Sequence, residues 1–105
     1  MRQFVPYSTV EQVETPHIPV STILEKGGLF RSVTIKYWWM EPKQCHDNVA
    51  YLFQRHKIKH MCVGYALAPD GQWRYHSWGF GHNQEIVETT APFLLYFGCV
   101  LVIKE

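Results

Sequence analysis

The segment KQCHDNVAYLFQRH, residues 43–56, places a possible nucleophile at the start of a helical pattern. Cys45 follows a polar run and precedes the apolar residues of that pattern. The free N–H groups and the dipole of a helix N-terminus lower the pKa of a thiol, and the same N–H groups can bind an oxyanion. Because the thiolate is the reactive form of cysteine, this position favours nucleophilic chemistry at Cys45.

A histidine and a carboxylate follow on two predicted neighbouring strands. The stretches QWRYHSWGF and EIVETT are separated by turn residues, which predicts a hairpin whose loop is centred near His82. That register sets His76 opposite Glu88 on one face of the sheet, where cross-strand Cβ atoms lie about 5 Å apart. A register slip of one residue would send the two side chains to opposite faces.

These three residues together predict a site for covalent catalysis. Cys45 is the candidate nucleophile and His76 the candidate base, while Glu88 would fix the imidazole tautomer and stabilise its charged form. We expect the sulfur of Cys45 to lie within about 4 Å of a ring nitrogen of His76. The alternative is structural, because a cysteine near a helix start and a half-buried strand histidine usually serve only the fold.

The elements that must position these residues predict an α+β fold. The alternating stretch RSVTIKYWW, residues 31–39, predicts a strand, and apolar residues at helical spacing predict a helix from Cys45 to about Lys57. Four later runs, MCVGYALA, QWRYHSWGF, EIVETT and LLYFGCVLVI, predict an antiparallel meander. The expected architecture is one main helix packed on a mostly antiparallel sheet of four to five strands.

The same pattern predicts the core and the space around the imidazole. One helix face should bury against the sheet, through Val49, Leu52 and Phe53 on the helix and Val63, Tyr65, Val87, Phe97 and Leu101 on the strands. The PDG turn sets Gly64 or Tyr65 against His76. A glycine there would leave room beside the ring.

The chain is predicted to form a single domain over residues 1–105. Residues 1–30 carry three prolines, Pro6, Pro16 and Pro19, and no sustained period, which predicts an extended arm. Ser21 could cap a short helical turn that ends at the glycine pair of residues 27–28. Residues 31–105 would then form the helix-plus-sheet core.

Composition excludes several classes of function. A formal net charge of +1 with one short basic run, RHKIKH, gives no broad footprint for nucleic acid. No stretch is long and apolar enough for a membrane span or a signal peptide, so we expect a cytoplasmic protein that does not bind membranes. Cys45, Cys62 and Cys99 lack C-x-x-C spacing, which argues against disulfides and a zinc site. We predict no metal and no cofactor.

Several segments together resemble a known family. CHDN, GYAL, DGQWRYHSWG, IVETT and YFG are similar to small bacterial and phage domains of the papain-like class, which includes transglutaminase-like and NlpC-like cysteine hydrolases. The resemblance covers about residues 44–98. It implies Cys45 as nucleophile, His76 as base and Glu88 as orienting acid, although the acid of the family is often Asp.

The resemblance also implies a reaction. We expect a small cysteine hydrolase or acyltransferase that acts on a peptide, amide or thioester through a covalent acyl-enzyme. Peptidases of this class use a glutamine several residues before the cysteine at the oxyanion hole, whereas here Gln44 directly precedes it. Gln44, Asn48, Tyr65 and Trp78 are the candidate substrate-binding residues. The alternative function is a non-catalytic binding module, encoded by a phage, that keeps the fold and holds a partner in an aromatic groove.

Overall fold

Seven strands and two helices make up the described part of the chain. The structure is a computed structural model that describes residues 3–5, 20–31 and 33–104. The helices are α1 (Val20–Lys26) and α2 (Cys45–Gln54). The strands are β1 (Gln3–Val5), β2 (Gly28–Leu29), β3 (Ile35–Tyr37), β4 (His60–Leu67), β5 (Trp73–Phe80), β6 (Ile86–Glu88) and β7 (Leu95–Lys104). The α+β class is therefore confirmed. Pro6, Pro16 and Pro19, with the extended arm predicted around them, lie outside the described residues.

The strands form a mixed sheet in the order β1-β7-β4-β5-β6-β3, and β2 also pairs with β7. All pairs are antiparallel except β3 with β6, which is parallel. The sheet thus has more strands than the four to five expected, because short segments before α2 add to its edges. Among the described residues, no helix is both long and apolar enough to cross a membrane.

The predicted meander is wrong at its last strand. β7 does not continue beyond β6 but returns to the far side of β4, where Met61 to Leu67 pair with Leu101 to Leu95. Hydrogen bonding to the end of β4 begins one residue before β7, where the N–H of Leu94 donates to the carbonyl of Leu67 at 2.8 Å. The centre of the sheet is therefore β7-β4-β5.

Two glycines allow the backbones of β4 and β7 to approach closely. Gly64 and Gly98 are register partners, and a Cβ on Gly64 would lie 2.2 Å from the carbonyl oxygen of Phe97. A Cβ on Gly98 would lie 2.8 Å from the ring of Trp78. Gly64 is opposite His76, as expected, but the space that it leaves is taken by the β7 backbone and not by the imidazole.

Helix α2 packs on one face of the sheet, as its sequence pattern predicts. Val49 and Leu52 are buried and meet Val63, Val87 and Leu101 from the strands. Phe53, Tyr65 and Phe97 are partly buried against the same cluster. The predicted core on this face is therefore confirmed.

The opposite face of the sheet has its own apolar cluster around Trp78. Cys62, Ala66, Ile86 and Tyr96 are buried with it. The ring of Phe30 meets the Trp78 ring edge to face at a centroid distance of 5.4 Å. Because side chains alternate along a strand, His76 lies on this face of β5, while Tyr75 and Ser77 point toward α2.

Two predicted elements are shorter than expected. Helix α2 ends at Gln54 and not near Lys57, because His56 has a positive φ of 60° that no helix can contain. Strand β3 spans only Ile35–Tyr37, although the N–H of Trp38 still donates to the carbonyl of Glu88 at 2.8 Å. Helix α1 forms where the short turn is predicted, but it begins at Val20, so Ser21 lies inside the helix and the predicted cap at Ser21 is wrong.

Candidate active site

The N-terminus of α2 lies against the part of β5 that carries no β6 partner. Within the described chain, β5 and β6 pair only at Gly79 with Val87 and at Phe80 with Ile86. The backbone N–H groups of the preceding β5 residues on that edge therefore form no hydrogen bonds with β6. The backbone N–H groups of Ser77 and His46 both donate hydrogen bonds to the sulfur of Cys45. The thiol therefore lies between the N-terminus of α2 and strand β5.

The pKa of the Cys45 thiol is lowered below its ordinary value. Burial of the sulfur acts to raise this pKa, but the hydrogen bond and the positive charge of His76 outweigh it, with help from the two backbone N–H groups. Cys45 is only half-buried and forms no disulfide. A thiolate at this place is accessible to an electrophile.

The imidazole of His76 connects the thiol to a carboxylate. Its Nε2 donates to Oε1 of Glu88 at 2.8 Å, and the same side chain forms a hydrogen bond with Cys45. Burial acts to lower the pKa of His76, but the bonds and charges of Cys45 and Glu88 raise it to about 9. The lowered thiol pKa and the raised imidazole pKa both favour a thiolate–imidazolium pair over the neutral pair.

The carboxylate of Glu88 is fully buried and accepts hydrogen bonds at both oxygens. Oε1 also accepts from the hydroxyl of Tyr96 at 2.8 Å. Oε2 accepts from the N–H groups of Thr89, Thr90 and Ala91 and from the Thr90 hydroxyl. Burial raises the pKa of Glu88, yet the bonds from His76, Thr90 and Tyr96 bring it below its usual range. The carboxylate is therefore a fixed anion that orients the imidazole.

Aromatic rings pack beside the His76 side chain. The Phe93 ring lies 4.5 Å from the imidazole, and the indole of Trp78 stacks on it at 6.2 Å between centroids. Trp78 is fully buried, and its Nε1 has no hydrogen-bond partner among the described residues. In this position Trp78 supports the imidazole from inside the protein.

Two other predicted substrate-binding residues, Gln44 and Asn48, lie at the start of α2 beside Cys45 in the sequence. Gln44 is exposed and makes no side-chain cap. Asn48 is buried, and its Nδ2 donates to the carbonyl of Glu41 at 2.8 Å and to the hydroxyl of Thr89 at 3.2 Å. Asn48 therefore ties the segment before α2 to the end of β6. Substrate contacts by Gln44, Asn48, Tyr65 and Trp78 stay predictions.

Three residues at the site were not predicted from the sequence. Nδ1 of His46 forms a hydrogen bond with Oγ of Ser77, and the His46 ring lies 5.4 Å from that of Tyr75. Burial and the charge of His76 lower the pKa of His46, so its ring is neutral at neutral pH. His46 and Ser77 adjoin predicted catalytic residues in the sequence, which is a usable signal. Tyr96 could not be found in this way, because its contact with Glu88 depends on the position of β7 in the sheet.

Comparisons with protein-family models, with curated proteins and with solved structures found no match for this chain. Among the described residues, no group of three or more His, Cys, Asp and Glu side chains is placed to hold a metal ion.

Proposed function

We propose that the protein is a small cysteine hydrolase or acyltransferase of the papain-like class, acting on an amide or thioester through Cys45, His76 and Glu88. The observation that carries the proposal is the hydrogen-bonded series from the Cys45 thiol through the imidazole to the buried carboxylate. A nucleophile, a base and a group that orients the base are the parts that covalent acyl transfer requires.

In the acylation step, the thiolate of Cys45 attacks the carbonyl carbon of the substrate, and the carbonyl π electrons move to its oxygen. The imidazolium of His76 then gives its Nδ1 proton to the leaving nitrogen or sulfur as the bond to carbon breaks. The products are a Cys45 thioester and a neutral amine or thiol. Glu88 stays ionised throughout and holds the ring by Nε2.

The second step reverses the role of the imidazole. Neutral His76 takes a proton from water, or from an acceptor amine or alcohol, as that nucleophile attacks the thioester carbonyl. Collapse of the intermediate returns the thiolate and releases an acid or an acylated acceptor. Water makes the protein a hydrolase, and another acceptor makes it a transferase.

The start of α2 supplies donors for the oxyanion formed in both steps. The N–H of Cys45 belongs to the first turn of the helix, where N–H groups have no acceptor within the helix. The positive end of the helix dipole favours negative charge at this position. The exposed side-chain amide of Gln44, the preceding residue, is the proposed second donor.

The chemistry fits a reducing compartment. A thiol with a lowered pKa oxidises readily, and Cys45, Cys62 and Cys99 form no disulfide. We therefore propose a cytosolic location, together with the bacterial or phage source that the resemblance implies.

Trapping the acyl-enzyme tests the proposal. The protein is incubated with a simple thioester, such as S-phenyl thioacetate, quenched in acid and analysed by intact and peptide mass spectrometry. An acetyl group should appear on Cys45 in the wild type and disappear in Cys45→Ala, while Cys62→Ala keeps it. Acetylation that is equal at Cys45 in wild type and His76→Gln would overturn the proposed mechanism, and a chain without an adduct would favour the binding module.

A further inference from the structure

An apolar groove of about 530 Å³ lies between α1, β2 and the ends of three central strands. Within the described part of the chain, six residues line it: Leu24, Leu29, Arg31, Tyr65, Trp73 and Phe97. Leu24 is 64% exposed and Trp73 is 47% exposed, which is unusual for large apolar side chains grouped together. Exposed apolar surface of this kind marks a binding site in many proteins.

A row of aromatic side chains connects this groove to the reactive thiol. Tyr65 lines the groove and meets the ring of Tyr75 at a centroid distance of 5.7 Å. Tyr75 in turn lies 5.4 Å from the ring of His46, which follows Cys45 in the first turn of α2. The ring contacts of Tyr65, Tyr75 and His46 therefore run from the groove lining to the first turn of α2.

One positive charge stands in the groove wall. Arg31 is the only charged residue among these six, and the ion pairs within the described part of the chain, Arg74 with Asp70 and His76 with Glu88, do not include it. Arg31 also lines a neighbouring cavity of about 430 Å³, so it stands where the two meet. By contrast, the nearby Arg74 is paired with Asp70 at 2.6 Å. An unpaired guanidinium at an apolar wall is complementary to a carboxylate.

We propose that this groove binds an extended apolar portion of the substrate that ends in a carboxylate, with Arg31 pairing to that carboxylate. The assignment rests on the proposed function, since it takes Cys45 as the point of reaction. It adds a substrate class: an amide or thioester whose aliphatic or aromatic portion ends in an anion. Leu24 and Trp73 would then bury surface that is exposed in the free protein.

Calorimetric binding to the Cys45→Ala protein tests the groove without any reaction at the thiol. Decanoate is the probe, hexanoate tests chain length, and decyltrimethylammonium tests the sign of the charge. Decanoate should bind about tenfold or more tightly than hexanoate, because each buried methylene contributes, and more tightly than the cation. Absence of decanoate binding, or equal binding of the cation, would overturn the proposal.

Two matched arginine variants test which side chain binds the carboxylate of decanoate. Arg31→Gln in the Cys45→Ala protein should weaken decanoate binding about two- to fivefold, the range of a solvent-exposed charge pair. Arg74→Gln should leave it unchanged, because Arg74 lies outside the groove lining and pairs with Asp70. Leu24→Asn, at an exposed position, should weaken decanoate and spare the fold. Equal losses in the two arginine variants, or a dimer by sedimentation that excludes decanoate, would overturn the proposal.

Alkylation of the wild type separates failure of the groove from failure of the proposed function. N-octyl iodoacetamide should alkylate Cys45 at least severalfold faster than iodoacetamide, and Leu24→Asn should remove that advantage. Rapid alkylation by both reagents at equal rates, without decanoate binding, would overturn the groove and leave the proposed function standing. Decanoate binding to a protein whose Cys45 resists both reagents would overturn the proposed function and the substrate assignment with it.

Discussion

Nε2 of His76 and Oε1 of Glu88 lie 2.8 Å apart, although the sheet register does not place the two residues opposite each other. The observed pairs, Gly79 with Val87 and Phe80 with Ile86, are offset by two residues from the expected register. A shift of two positions returns each side chain to the same face of the sheet. The contact therefore survives, and it leaves Nδ1 of His76 for the thiol of Cys45.

The first prediction concerns acid stability. Glu88 has a lowered pKa in the folded protein, so it contributes stability above its unfolded value of about 4.5, and this is lost as the pH falls through its folded value. In urea unfolding experiments, the free energy of unfolding of the wild type should fall as the pH drops below about 4.5. The free energy of unfolding of Glu88→Gln should fall less steeply over the same range. Glu25→Gln, at an exposed position on α1, is the control. Parallel profiles for wild type and Glu88→Gln would contradict the role given to the carboxylate.

The second prediction concerns the charge of His76. Its folded pKa is raised to about 9, above the ordinary value of 6.5, so its stabilisation is complete below 6.5 and is lost as the pH rises through about 9. NMR titration of the ring should give a midpoint near 9 in the wild type and a lower one in Cys45→Ala. A midpoint near 6.5 in the wild type would mean that no thiolate–imidazolium pair forms.

The third prediction compares two cysteines. Cys45 is half-buried at the helix start, so Cys45→Ser should change the free energy of unfolding by less than about 1 kcal/mol while abolishing acylation. Cys62 is 1% exposed in the Trp78 cluster, so Cys62→Ser should cost about 1–3 kcal/mol and keep the activity of the folded fraction. Urea titrations measure both changes. Equal destabilisation by the two substitutions would identify Cys45 as a packing residue.

The fourth prediction concerns the packing of α2 on the sheet. Leu52 is 1% exposed among the core residues, so Leu52→Ala should lower the free energy of unfolding by about 2–5 kcal/mol. Gln54→Ala, at an exposed position of the same helix, should change it by less than about 0.5 kcal/mol. Chemical unfolding of both variants measures these changes. A loss of free energy of unfolding in Leu52→Ala as small as that in Gln54→Ala would contradict the packing of this helix face on the sheet.

Local sequence patterns predicted the features of this protein that depend on helix and strand periodicity and on the turn between neighbouring strands. The spacing of Val49 and Leu52 predicted which face of α2 is buried, and the polar first turn placed Cys45 at the helix N-terminus. The turn between QWRYHSWGF and EIVETT predicted that His76 and Glu88 share a face of the sheet, as their contact requires. These inferences need only the periods of helix and strand and the turn between neighbouring strands.

Non-local pairing was beyond those patterns. That β7 lies beside β4 depends on the close approach of Gly64 and Gly98, which no period in the sequence encodes. The hydroxyl of Tyr96 on Glu88 follows from that strand order and was missed with it. The parallel pairing of β3 with β6 was missed for the same reason, because it joins segments that are distant in the chain.

The charge state of the thiol determines whether this geometry is an active site. The His76→Ala substitution removes the imidazolium, and His76→Gln removes the charge while retaining an amide that can donate to Glu88, which protects the fold. In both variants the pKa of Cys45 should rise, because the hydrogen bond and charge of His76 are what bring it below its ordinary value.

The decisive measurement is the rate of alkylation of Cys45 by iodoacetamide as a function of pH, followed by peptide mass spectrometry in the wild type and both His76 variants. We predict rapid labelling of the wild type near pH 6 and labelling at least about tenfold slower in each variant, which corresponds to a rise of one unit or more in the thiol pKa. Equal and slow labelling of all three proteins near pH 6 would contradict the catalytic role of Cys45 and favour a binding module.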